Sequence, residues 1–111
     1  MSRFVEVARL SELPDGSSRL IVRDDLWIGL FRADGTVYAI EAHCPHAGAN
    51  LVRGEFQSGC LTCPVHLWRF RLADGQYLDA DQPQFNLTTY RVRLSGDEIW
   101  VELPGESATD S

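Results

Sequence analysis

Two short cysteine–histidine pairs constrain this chain more than any other feature. Cys44-Pro45-His46 sets a cysteine and a histidine two positions apart, and Cys63-Pro64-Val65-His66 sets them three apart, with sixteen residues between His46 and Cys63. Each cysteine is followed by a proline, and the two pairs fall in the only stretches, 44–54 (CPHAGANLVRG) and 63–66 (CPVH), that break a strand-like rhythm. In an extended segment, side chains two apart point the same way and neighbours point apart. Cys44 and His46 can therefore converge, while His43 projects elsewhere. The same alternation turns Cys60 away from Cys63. The segment GCLTC (59–63) joins the two loops and can set them side by side.

The rest of the chain reads as strands. FVEVARL (4–10) alternates with period two, and RLIVRD and LWIGLFRA are rich in β-branched and aromatic residues. Asp34-Gly35 predicts a hairpin between LFRA and TVYAIEA, and Asp74-Gly75 a second between LWRFRLA and QYLD. TYRVRLSGDEIWVEL predicts a third, turning at 95–97. Val92, Leu94, Ile99, Val101 and Leu103 share one face of it, with Arg91, Arg93, Glu98 and Glu102 on the other. No segment has a helical period. LSELPDG (10–16) allows one short turn that Pro14 ends. The expected organisation is one all-β domain over 1–103, with a mobile tail over 104–111 that has little to bury.

A length of 111 residues suits a single core. No apolar run approaches the roughly 20 residues that a membrane span needs. The start, MSRFVEVARL, lacks the apolar block of a signal peptide, so a cytoplasmic location and no membrane partner are expected. Three cysteines, an odd number, argue against a disulfide framework and for metal or redox use. A net charge of −6 makes nucleic acid an unsuitable partner and fits either solubility or steering toward a basic patch on another protein. All ten basic residues are arginine, which has no functional account here.

Two cysteines and two histidines suit zinc or an iron–sulfur cluster. The usual zinc finger orders its ligands Cys, Cys, His, His with the histidines on a helix; here the order is Cys, His, Cys, His between strands. A [2Fe–2S] cluster with two cysteines on one iron and two histidines on the other suits the paired order, because each loop then gives one ligand to each iron. C-x-H, sixteen residues, C-x-x-H resembles the Rieske iron–sulfur signature. The likeness runs over about 4–103 and is strongest to small bacterial Rieske-type ferredoxins. CPVHLWRF and GDEIWVEL resemble the ferredoxin component of soluble diiron monooxygenases of the toluene and alkene type.

The resemblance implies a Rieske fold: an antiparallel β-sandwich bearing a two-loop cluster-binding subdomain. It implies one [2Fe–2S] cluster, with Cys44 and Cys63 on the buried iron and His46 and His66 on the outer iron near the protein tip. With neutral imidazoles such a cluster goes from zero charge to −1 on reduction, whereas an all-cysteine cluster goes from −2 to −3. Histidine ligation therefore raises the potential, to about −150 to +300 mV against about −400 mV for plant-type ferredoxins. High-potential relatives tie their loops with a disulfide and place hydroxyl donors near the cluster. Ala49 and Val65 stand at the disulfide positions here, and Trp68 and Phe70 at the hydroxyl positions. The low end, about −150 mV, is therefore expected. At high pH, ionisation of the ligand histidines should lower it by about 59 mV per unit.

Around the ligands, Gly48 is a candidate for close backbone approach to the cluster, while Gly54 and Gly59 read equally as turn glycines. Pro45 and Pro64 stiffen the loops. Trp68 either flanks the cluster as a docking residue or packs with Phe70 and Leu72, and Arg69 and Arg71 face solvent. The segment 79–85 (DADQPQF) resembles the family's third cluster-covering loop through Pro83. Cys60 is expected to be a small buried residue and His43 a strand-end residue. No nucleophile, base pair or substrate pocket is visible, so no catalytic residues are expected. The implied function is a monomeric one-electron carrier. Its donor would be an NADH-dependent flavin or iron–sulfur reductase, and its acceptor the hydroxylase component of a diiron aromatic or alkene monooxygenase. The alternatives are the ferredoxin of a ring-hydroxylating dioxygenase, a protein like the small subunit of nitrite reductase, and a zinc-stabilised interaction module.

Overall fold

The computed structural model describes residues 2–23, 25–43, 50–57, 59–64 and 67–104. Cys44, His46, Gly48, Ala49, Val65, His66 and the tail from 105 to 111 lie outside the described residues. Ten strands and three short 3-10 turns make up the described chain, with no α-helix among them. The strands are β1 (Ser2–Arg9), β2 (Ser18–Arg23), β3 (Leu26–Ala33), β4 (Thr36–Glu41), β5 (Glu55–Gln57), β6 (Cys60–Thr62), β7 (Arg69–Arg71), β8 (Thr89–Tyr90), β9 (Val92–Ser95) and β10 (Glu98–Pro104).

Turn chemistry sets much of the register. Asp34 and Gly35 both take positive φ, 53° and 81°, the mirror-image turn that matches strand twist, and Ala33 pairs with Thr36 across it. Gly96 at φ +58° turns β9 into β10, with Ser95 paired to Glu98. The hairpin at Asp74-Gly75 is shorter than its sequence suggests: opposite β7 the returning arm makes the Phe70–Tyr77 bridge, with Arg71 N–H donating to the Gln76 carbonyl and Leu78 N–H to the Arg69 carbonyl, both at 2.9 Å. A further hairpin, β2–β3, was not legible. Arg23 pairs with Leu26 across Asp24-Asp25, which lacks the usual glycine; Asp25 takes φ +66° instead.

The strands form three antiparallel sheets, ordered β1-β10-β9, β2-β3-β4-β8 and β5-β6-β7. The four-stranded sheet is the middle layer, and the period-two alternation of β3 and β4 divides its side chains between two cores. Ile28, Leu30, Val37 and Ala39 join Ile99, Val101 and Leu103 of β10 in a first core. Phe31 and Ile40 point the other way, into a second core with Leu51, Leu61, Cys63 and Phe70. A strand buried on both faces explains why LWIGLFRA is apolar almost throughout. At Arg91 the chain crosses from one sheet to the other, its carbonyl accepting from Glu102 N–H at 2.9 Å.

Two side-chain placements differ from the sequence expectation. Val7 and Ala8 are both buried, because a bulge between Glu6 and Ala8 shifts the β1–β10 register and turns two successive residues inward. Leu94 is 46% exposed although it shares parity with the buried Ile99 and Val101. It sits on β9, the outer strand of a three-stranded sheet, near the hairpin tip.

Candidate metal centre

The described residues on both sides of the first cysteine–histidine pair close its loop tightly. Ala42 N–H donates to Trp27 carbonyl at 2.8 Å, and Leu51 N–H donates to Ala42 carbonyl at 2.6 Å. His43 and Asn50, on either side of 44–49, form an antiparallel bridge. Asn50 then starts a 3-10 turn, Leu51–Arg53, its side-chain oxygen accepting from Val52 N–H at 3.1 Å. Leu51 is fully buried and anchors the turn in the second core. His43 is exposed at the strand end, its ring 4.5 Å from that of Trp27.

The second loop rises from β6. Cys63 is fully buried, and its N–H donates to Trp68 carbonyl at 2.7 Å, closing the turn 63–68. Leu67 takes φ +60°, a left-handed conformation that costs a residue with a Cβ roughly 1–2 kcal/mol. The two loops are neighbours because Gly54 lies against β6: a Cβ there would sit 2.1 Å from the Thr62 carbonyl oxygen. Gly54 is thus required by close approach, at an ordinary φ of −77°. Gly59 is a turn glycine at φ +76° with open space around it.

A third segment braces the second loop. Trp68 is half-buried between Tyr77 (ring centroids 4.6 Å apart) and Phe85 (5.0 Å, edge-on). Phe85 belongs to the 3-10 turn Pro83–Phe85, in which Pro83 is exposed. Trp68 therefore packs against the second core that holds Phe70 and Leu72, and through Phe85 it also meets the proline-bearing segment.

Asp79 accepts from the backbone N–H of Arg69 at 2.9 Å and from its guanidinium Nε and Nη2 at 2.9 and 2.7 Å. The hydrogen bond from the Arg69 side chain holds the Asp79 carboxyl below its ordinary range, against a smaller opposing effect of burial. In return Arg69 is held above the usual guanidinium value by that hydrogen bond and by the Asp79 charge. Sequence alone left Arg69 and Arg71 merely solvated. Both are exposed, but Arg69 is clamped and Arg71 pairs with Asp74 at 3.0 Å and also donates to Gln76. Nothing local marks the Arg69–Asp79 pair, whose partners lie ten residues apart. The expectation for Cys60 also needs correction. It is a partly exposed thiol in a shallow cleft with Gln57, Thr62 and Arg69, because alternation turns it off the core face that Leu61 and Cys63 occupy.

Of the four predicted ligands, Cys63 is described and Cys44, His46 and His66 lie outside the described residues. The residue that can be tested fits a cluster thiolate. Cys63 is fully buried in an apolar core, at the root of a tight turn and beside the stem of the other loop. Dry surroundings keep a metal-bound thiolate from solvent and set the potential of what it binds. A groove of about 930 Å³ lies elsewhere, along β8 beside Tyr38, Tyr90, Arg91 and Val92. No described helix is long and apolar enough to cross a membrane.

Known proteins resemble the chain over most of its length. The ferredoxin component of the naphthalene 1,2-dioxygenase system of Pseudomonas aeruginosa is 27% identical over 101 residues, 91% of this chain and 96% of that protein. The 3-phenylpropionate/cinnamic acid dioxygenase ferredoxin subunit of Shigella boydii is 33% identical over 98 residues, 86% of this chain and 89% of that protein. The ferredoxin of carbazole 1,9a-dioxygenase from Nocardioides aromaticivorans IC177 superposes with a TM-score of 0.80 at 33% identity, covering 88% of this chain and 95% of that one. The model of the Rieske [2Fe–2S] domain matches residues 3–91. With that match, a β-sandwich carrying a two-loop subdomain, and a buried cysteine at the root of the second loop, the chain belongs to the Rieske [2Fe–2S] domain family, whose cofactor is one cluster of that type.

Proposed function

We propose that this protein is the ferredoxin of a ring-hydroxylating dioxygenase system, carrying single electrons from an NADH-dependent reductase to a terminal oxygenase. The observation that carries the reading is similarity along nearly the whole chain to ferredoxins of dioxygenase systems, at 27% and 33% identity. These relatives favour the dioxygenase reading over the diiron monooxygenase reading. The motif HLWRF could not separate the two, because the ligand set fixes the cofactor and leaves the partner open. Zinc loses its support with the family assignment.

In this reading Cys44, His46, Cys63 and His66 hold the cluster, with the thiolates inward and the imidazoles at the tip. When bound, the cluster takes up and gives back one electron. The chain supplies the rest. The core around Cys63 excludes water, the bracket of Tyr77 and Phe85 fixes Trp68 beside the second loop, and Pro45 and Pro64 limit loop movement. The protein acts in the cytoplasm as a monomer, and its contacts with both partners are small and transient.

The purified protein should be red-brown, and its dithionite-reduced form should give a rhombic electron paramagnetic resonance signal. Redox titration should give a potential near about −150 mV. NADH-driven turnover with the oxygenase of a naphthalene, phenylpropionate or carbazole dioxygenase system separates this reading from the others. Turnover with a diiron hydroxylase alone, or with nitrite reductase alone, would replace it.

A further inference from the structure

The segment between Gly75 and Leu87 is pinched at its base. Leu87 N–H donates to the Gly75 carbonyl at 2.8 Å. Gly75 takes φ +75°, and a Cβ on it would lie 2.3 Å from the Leu87 carbonyl oxygen, so the pinch requires glycine. Just above it, Arg71 N–H donates to the Gln76 carbonyl and Leu78 N–H to the Arg69 carbonyl, so residues 76 and 78 bond to β7. Tyr77 lies between them, and its N–H faces the other way. There it meets a side chain, donating to Asn86 Oδ1 at 2.9 Å.

The backbone at residue 86 does not ask for asparagine. Its φ of −62° and ψ of 143° are open to any residue, and the residue is exposed. Its side chain joins the two residues that bracket Trp68. Tyr77, whose N–H it accepts, has its ring 4.6 Å from that of Trp68. Phe85, its chain neighbour, has its ring 5.0 Å from Trp68 and 5.8 Å from Tyr77. Trp68 in turn closes the second ligand loop, its carbonyl accepting from Cys63 N–H at 2.7 Å. One exposed side chain is thus linked, through two rings, to the turn that starts at the buried Cys63.

We propose that Asn86 is a positioning residue for the [2Fe–2S] cluster: its bond to Tyr77 N–H latches the segment 77–86 against Trp68 and so limits water entry and loop movement at the cluster. The inference rests on the ligand set proposed above, with Cys63 as a cluster thiolate, and is independent of which oxygenase takes the electron. The cluster gains one negative charge on reduction, and dry surroundings disfavour the charged form. The latched segment therefore holds the potential down and slows cluster loss. Asp79 ties the same segment to Arg69 at its other end, so Asn86 governs the Phe85 half alone.

The test compares the loaded wild type with Asn86→Leu and Asn86→Asp. Leucine is close in size and has no acceptor, whereas aspartate keeps the Oδ acceptor. A hydrogen bond of ordinary net strength corresponds to about fivefold in an opening equilibrium. Asn86→Leu should lose iron to a chelator about fivefold faster than wild type, exchange its Tyr77 amide faster by a similar factor, and have a higher reduction potential. Asn86→Asp should keep wild-type rates of iron loss and of Tyr77 exchange. Amides of β10, in the first core, should exchange alike in all three.

An unchanged potential in Asn86→Leu would overturn the inference even if iron is lost faster, because a merely structural brace would do that. Iron loss from Asn86→Asp as fast as from Asn86→Leu would overturn it too, since the acceptor atom would then not matter. A wild type without the visible absorbance of a [2Fe–2S] cluster would overturn the ligand set itself, and the inference with it.

Discussion

In the first core, aliphatic side chains project from strands of six to eight residues: β1, β2, β3, β4 and β10. Among the described residues no aromatic ring is buried in it, and Tyr90 only packs at its margin. In the second core, β5, β6 and β7 have three residues each, and Phe31, Phe70 and Tyr77 are buried with Tyr38, Phe56, Trp68 and Phe85 packed against them. Long strands satisfy most of their backbone through ladders and need only well-fitting aliphatic side chains. Short strands separated by loops gain little from pairing. Large rings, each burying about 150–250 Å², compensate for that deficit. Phe31 and Phe56 meet edge-on at 5.1 Å, and Tyr77 touches Trp68, Phe70 and Phe85. The sandwich should therefore stand alone, whereas the cluster subdomain should depend on its aromatic packing and its cofactor.

Removing the cofactor gives the largest contrast. Cys63→Ser should abolish the visible absorbance of the cluster. Hydrogen exchange should then quicken over β5–β7 while amides of β3 and β10 stay protected. Equal loss of protection in both regions would join the two cores into one cooperative unit.

Truncation within each core comes next. Phe70→Ala should cost about 3–5 kcal/mol and release the cluster. Val101→Ala should cost roughly 1–3 kcal/mol with cluster content unchanged. Denaturant titration alongside iron analysis separates the two outcomes.

Gly54→Ala is a smaller change at a tighter place. Its Cβ would meet the Thr62 carbonyl, a backbone atom, so the first loop must move off β6. Faster cluster loss on incubation with a chelator is expected, with the melting of the sandwich little altered. An unchanged rate of loss would mean that the stem adapts without disturbing the loop.

The Arg69–Asp79 clamp should give the smallest effect, and one that depends on pH. The folded Asp79 carboxyl is held below its unfolded value of about 3.9. Its contribution is therefore fully present above that value and fades as pH falls through the depressed folded value. Protection of the Arg69 amide, which donates to Asp79, should decline over that acid range in wild type. In Asp79→Asn it should not follow pH there, which exchange measured by nuclear magnetic resonance would read.

Parts of this arrangement were legible because their causes are local. Asp34-Gly35 and Gly96 carry the dihedral needs of their turns. Alternation turned Cys60 from the face of Leu61 and Cys63. Other parts depend on residues far apart in the chain. The bulge that buries both Val7 and Ala8 exists only against β10. Asp79 finds Arg69 only when the third segment folds back, and Leu94 is exposed on an outer strand although its cross-strand partner Ile99 is buried.

The sequence by itself determined the chemistry: two cysteine–histidine pairs at fixed spacing, a strand rhythm, and turns written in glycine and aspartate. Side-chain type and chain geometry are local properties, so they can be read in order along the chain. Only the tertiary structure decided that β3 and β4 face two cores and that Gly54 presses one loop stem against the other. Those depend on which distant surfaces exclude water from one another, and a single sequence does not state that.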